Sequence, residues 1–155
     1  MGRGTDTAHR AYTVSLDDGR VELLWDREIH TSIFGVPISP DGDGVVLRLP
    51  TGEIGVYSAG SAKFTPIPAL GRDDWVIRYD TDGTSLLVAA SEGEATTIQR
   101  VDLGTGERTP WRTLMPPDPT GMVYIGNPVV SRDGRSYAYS QFRKLADLYL
   151  VDNLG

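Results

Sequence analysis

The chain has 155 residues, 39% hydrophobic and 23% charged, a balance that belongs to folded globular proteins and not to disordered ones. Its net charge of −6, with Lys and Arg scattered along the chain, excludes a nucleic-acid backbone binder and argues against adsorption to anionic lipid. The absence of cysteine excludes disulfides, thiolate catalysis and Cys-ligated zinc. Residues 1–10 lack the apolar core of a signal peptide and read as a flexible tail, and no later stretch has the roughly 18–20 apolar residues of a membrane span.

Eighteen Gly and ten Pro punctuate short apolar runs, which predicts many turns and an all-β chain. The first pair of strands is Tyr12–Leu16 and Val21–Trp25, joined by the turn Asp17-Asp18-Gly19-Arg20, a half unit over 11–26. The next unit, 32–70, reads as strands Phe34–Ile38, Val45–Leu49, Ile54–Ser58 and Lys63–Ile67. A third, 73–115, reads as Trp75–Tyr79, Leu86–Ala90, Thr97–Val101 and Arg108–Leu114. The last, 123–155, has Tyr124–Val130, Tyr137–Arg143 and Asp147–Asp152 and lacks a fourth strand.

The three later units share a frame. Ile38-Ser39-Pro40-Asp41-Gly42, Tyr79-Asp80-Thr81-Asp82-Gly83 and Val130-Ser131-Arg132-Asp133-Gly134 each close an apolar run with Ser or Asp, one free position, and Asp-Gly. Gly accepts the positive φ of a tight hairpin, and the Ser or Asp two positions before the turn's Asp can bond the turn's N–H groups. The turn aspartates are spaced 41 and then 51 residues apart, with matching apolar runs downstream of each. Several runs, such as Val45-Val46-Leu47, are apolar at consecutive positions, as expected of a sheet covered on both faces. A four-strand unit repeated every 40–50 residues is the signature of a β-propeller array.

On these residues the chain resembles the TolB/PD40 (WD40-like) propeller repeat family: Ser39-Pro40-Asp41-Gly42 looks like its turn, and Asp147-Leu148-Tyr149-Leu150-Val151 like its third strand. It is also similar to the C-terminal propeller of some bacterial Ser/Thr kinases. The resemblance implies blades of four antiparallel strands and an extracytoplasmic setting. It departs from true WD40 repeats in lacking Gly-His, and the middle turn has Asp80-Thr81 where Ser-Pro is usual.

About three blades do not close a ring, which takes about four to eight. Two completions are expected: the missing strand comes from elsewhere in a longer protein, or a second copy joins. In the second, Val21–Trp25 of one chain pairs with the open edge of Asp147–Asp152 of another, giving a homodimer with a six-bladed ring.

Chemistry is sparse. There is no Gly-x-Ser-x-Gly elbow, the only histidines are His9 and His30, and neither has a ligand partner at zinc spacing. Asp80-x-Asp82-Gly83 faintly resembles a calcium loop, but Ser91 stands where the twelfth-position Glu belongs, so hairpin chemistry accounts for it. No catalytic residue, metal or cofactor is expected. Trp25, Trp75 and Trp111 fall on strands and read as packing. The binding residues expected at the channel mouth are Asp73, Asp74, Arg78, Asn127, Arg143 and Lys144, each of which also reads as a solvated loop residue. Pro116-Pro117-Asp118-Pro119 marks a stiff connector. The function expected is a non-catalytic module that binds a protein, peptide or small ligand within a TolB-like or kinase-associated protein. The alternative is a gating-propeller fragment of a prolyl-oligopeptidase-like serine hydrolase.

Overall fold

The computed structural model describes residues 9–29, 36–92 and 95–146. These form β1 (His9–Val14), β2 (Val21–Ile29), β3 (Gly44–Arg48), β4 (Ile54–Ser58), β5 (Lys63–Pro66), β6 (Trp75–Tyr79), β7 (Ser85–Glu92), β8 (Ala95–Asp102), β9 (Arg108–Leu114), β10 (Met122–Val130) and β11 (Tyr137–Arg143). There is no helix among the described residues. Four antiparallel sheets result, ordered β1-β2, β3-β4-β5, β6-β7-β8-β9 and β10-β11.

Each sheet is a meander because its consecutive strands pair antiparallel across short connections. The three Asp-Gly turns are built alike. Ser39, Asp80 and Ser131 each donate their N–H to the carbonyl five residues on (2.7, 2.8 and 2.8 Å), and each accepts from the Gly three residues on. Asp41, Asp82 and Asp133 each accept the N–H two residues later, at 3.1, 2.9 and 3.1 Å. Gly42, Gly83 and Gly134 take φ of 81°, 71° and 68°, the left-handed region that a side chain disfavours. The Ser39 hydroxyl and the Asp43 N–H hold the Asp41 carboxyl below the usual carboxylate range, and Ser131 and the Arg135 N–H do the same for Asp133.

The hairpins at Ser15–Arg20 and Asp102–Glu107 are a second matched pair. Ser15 and Asp102 donate to the carbonyl five residues on and accept from Gly19 and Gly106. The β1–β2 hairpin thus repeats the β8–β9 hairpin, the outer half of a blade.

Packing explains the consecutive apolar positions. On β7, Leu86 and Val88 enter a core shared with Val46, Ile54, Ile67 and Leu70, while Leu87 enters a second core with Ile98, Leu114, Ile125 and Val130. Leu86, Leu87 and Val88 are at most 2% exposed. On β3, Val46 faces the first of these cores and Val45 and Leu47 face a third with Trp25, Ile29 and Tyr57. Three cores therefore separate four sheets stacked face against face. Burial, with the Asp41 carboxylate nearby, pushes the Tyr79 phenol in the first core up to about 12.

Some expectations need correction. His9 and Arg10, assigned to a tail, belong to β1, where His9 pairs with Ile29. Leu16, assigned to a strand, is fully exposed in the turn. The first strand of the 32–70 unit reduces, within the described residues, to a single bridge between Ile38 and Val45. The reason is local: Pro37 and Pro40 carry no N–H for a ladder, although the Pro37 carbonyl still accepts from Val46 at 2.9 Å. Of the described sheets only β6–β9 has all four strands. His30 and Asp147–Asp152, with the edge pairing expected there, lie outside the described residues.

Among the described residues, no further sheet covers either end of the stack. The register Tyr12↔Leu23 and Val14↔Val21 puts four apolar side chains on the outer face of β1–β2, all more than half exposed. At the other end Tyr124 pairs with Phe142 and Val129 with Ala138, and the Tyr124 and Phe142 rings stack with centroids 4.3 Å apart.

Candidate functional site

The Asp80–Gly83 turn after β6 and the Ser131–Gly134 turn after β10 stand side by side, and a pocket of about 220 Å³ opens between them. Its walls include Arg78, Asp80, Trp111, Arg132, Asp133 and Gly134. Arg78 sits where β6 bulges against β7, an irregularity that re-aims its side chain. Its guanidinium donates to the Tyr79 carbonyl at 2.5 Å and reaches across to the Ser131 carbonyl at 3.1 Å. Arg78 therefore ties one blade's turn to the next. Its Nε is buried and has no acceptor among the described residues.

The carboxylates here are already committed. Arg100 Nε lies 2.9 Å from Asp80, and its Nη2 lies 2.6 Å from Asp82. This answers the calcium-like pattern: Asp80 and Asp82 face a guanidinium and turn N–H groups. Arg132 is exposed and makes no side-chain ion pair among the described residues, so it gives the pocket a free cation, while the Trp111 ring is covered by Arg112 at 5.5 Å. The arrangement can hold an anionic or carbonyl-rich group.

The other expected residues fall elsewhere. Asp73, Asp74, Arg143 and Lys144 lie at the blade ends away from the Asp-Gly turns, as the strand directions require. Asp73 is exposed. Asp74 is buried and accepts from the Gly71 N–H at 2.6 Å and from Arg108 Nη1 at 3.0 Å. Arg108 also donates to the Ala69 carbonyl and to Gln99, and Arg48 donates to the Asp74 carbonyl. Donating to the Asp74 carboxylate raises the Arg108 guanidinium above its ordinary value. Asp74 is thus a blade fastener. Arg143 is held by the Asp118 carbonyl at 2.6 Å and its carboxylate at 3.2 Å, which ties the 116–119 connector to β11. The Lys144 N–H bonds the Gly121 carbonyl at 2.7 Å. Asn127 sits in the β10 bulge at φ 52°, a conformation that Asn tolerates better than most residues. Of the expected residues, only Arg78 lines the pocket. Arg132 was missed because no local signal distinguishes it from any other turn arginine.

Face-to-face antiparallel blades of this kind also occur in the crystal structure of TolB from Acinetobacter baumannii. The match has a TM-score of 0.60 at 20% identity and covers 84% of this chain. The fold is TolB-like. The chain matches 31% of the TolB chain, so it spans about a third of that propeller protein's length. No family model and no curated protein matches the sequence. In TolB-like terms, the described sheets form an arc whose ring is not closed.

Proposed function

We propose that the chain is a non-catalytic β-propeller interaction module, an arc that binds protein through its open blade faces. The observation that carries this is the pair of apolar end faces, with Tyr12, Val14, Val21 and Leu23 at one end and Tyr124, Val129 and Phe142 at the other. Inside the arc, equivalent faces are buried by the next blade, so the end faces are built for the same contact. Exposed apolar surface of this kind marks an interaction site in water. A second copy whose β1–β2 pair joins the last sheet edge to edge at each end completes that blade, covers both faces and closes a six-bladed ring with two-fold symmetry. In a larger TolB-like or kinase-associated protein, further blades fill the same role, and an extracytoplasmic setting follows from that parentage. The Arg78–Arg132 pocket then offers the assembled module a place for a peptide or small ligand.

Size-exclusion chromatography with light scattering tests the reading on the isolated chain. At micromolar concentration the expected mass is twice the 16.9 kDa of one chain, and Leu23→Arg or Phe142→Arg shifts it toward one copy. A well-folded wild-type monomer contradicts the proposal.

A further inference from the structure

A second cleft, of about 460 Å³, lies beside the edge strands β2 and β5, at the end of β4 and β5 whose turn bonds Asp43. Its walls are Leu23, Leu24, Trp25, Tyr57, Ala62 and Phe64, with the charged residues Asp26 and Arg27 also lining it. Trp25 meets the Tyr57 ring edge-on at 4.9 Å between centroids and the Phe64 ring at 5.7 Å. Trp25 is only 9% exposed, and its Nε1 has no hydrogen-bond acceptor among the described residues. Buried indole N–H groups ordinarily find an acceptor, so an orphan needs a reason. The Arg27 guanidinium stands 5.8 Å from the Trp25 ring centroid, adding a cation beside the unmet donor. The β4–β5 turn that borders the cleft holds Ala62 at φ 51°, a strained value for a residue with a Cβ. Strain of this kind gathers at ligand sites.

An aromatic wall, an unused N–H and a guanidinium together define one ligand chemistry. The wall takes a ring, the indole donates to an oxygen, and Arg27 offers a cation for a negative charge, with the Asp26 carboxylate alongside in the lining. A cleft of this size suits one small molecule. We propose that this cleft binds a small aromatic carboxylate, with its ring against Tyr57 and Phe64 and its carboxylate accepting from Trp25 Nε1 and Arg27. Nε1 has almost no exposed surface, so the proposal requires that binding shift a neighbouring ring to uncover it. The cleft shares Leu23 with the open end face, so the two readings are scored separately: light scattering reports ring closure and the Trp25 indole reports the ligand.

The test is a titration of the full chain with 3-phenylpropionate, followed by the indole N–H signals in a 1H–15N spectrum. The three tryptophans are separated by assigning Trp25 from its loss in Trp25→Phe. A saturable downfield shift of the Trp25 signal alone is expected. Affinity should fall on the order of tenfold for the uncharged 3-phenylpropionamide and for Arg27→Gln, as the loss of a charge-assisted hydrogen bond implies. N-acetyl-glycyl-phenylalanine carries the same ring and carboxylate on a chain end. Tighter binding than 3-phenylpropionate assigns the cleft to peptide termini, and weaker binding assigns it to free acids. An unmoved Trp25 signal at millimolar 3-phenylpropionate, or equal binding of acid and amide, overturns the proposal.

Discussion

Truncating Leu86 to alanine is expected to destabilise the fold by about 3 kcal/mol, and truncating its neighbour Leu87 by a similar amount. In a sheet with one wet face, adjacent positions alternate, so one of two neighbours tolerates the change. Here both are buried, at 0% and 2% exposure, and they face different cores. Each truncation leaves a hole that packed sheets on either side cannot collapse into fully, which adds a cavity cost to the lost apolar burial. Urea unfolding of the two single variants and the pair measures this. Because the side chains occupy separate cores, the two losses should add to within about 0.5 kcal/mol. A near-neutral effect at either position would mean that this sheet is covered on one side only.

Replacing Asp74 with asparagine is the second large effect, a loss of about 3 kcal/mol. Asp74 is 7% exposed and joins Gly71, Ala69, Arg108 and Gln99 into one fastener between the connector before β6 and the blade's last strand. Asparagine keeps the size but brings an amide N–H₂ toward the guanidinium, leaving Arg108 without its counter-charge. Arg108 is partly solvated, with 30% of its side chain exposed, so the cost sits at the low end for a buried pair. A double-mutant cycle with Arg108→Gln, read by urea unfolding, should return a coupling of about 1–3 kcal/mol that survives added salt. Additive single effects would show Asp74 to be a solvated charge.

That contrast shows what the residues disclosed and what they hid. The Asp-Gly turns were legible because their chemistry is local: Ser39, Asp41 and Gly42 settle their hairpin within six residues. The unbroken apolar runs around Leu86 and Leu87 were legible for a related reason, since the run itself reports two covered faces. The strand reduced to the Ile38 bridge was less legible, because the apolar pattern outweighed the missing N–H groups of Pro37 and Pro40. Site residues were the hardest. Asp74 looks like a loop acid until Arg108, 34 positions later, is placed on it. Arg78 was named, yet its clasp on Ser131 spans 53 positions and has no sequence signature. The Trp25 cleft was hidden because Tyr57 and Phe64 reach it from another sheet.

Repeated Asp-Gly hairpins build sheets that stack face against face. Methyl–methyl nuclear Overhauser contacts in a protein labelled at Ile, Leu and Val test it directly. Cross-peaks are expected from Leu86 or Val88 to Val46 or Ile54, and from Leu87 or Ile98 to Ile125. Cross-peaks confined to partners within each hairpin sheet, with none between sheets, would contradict it.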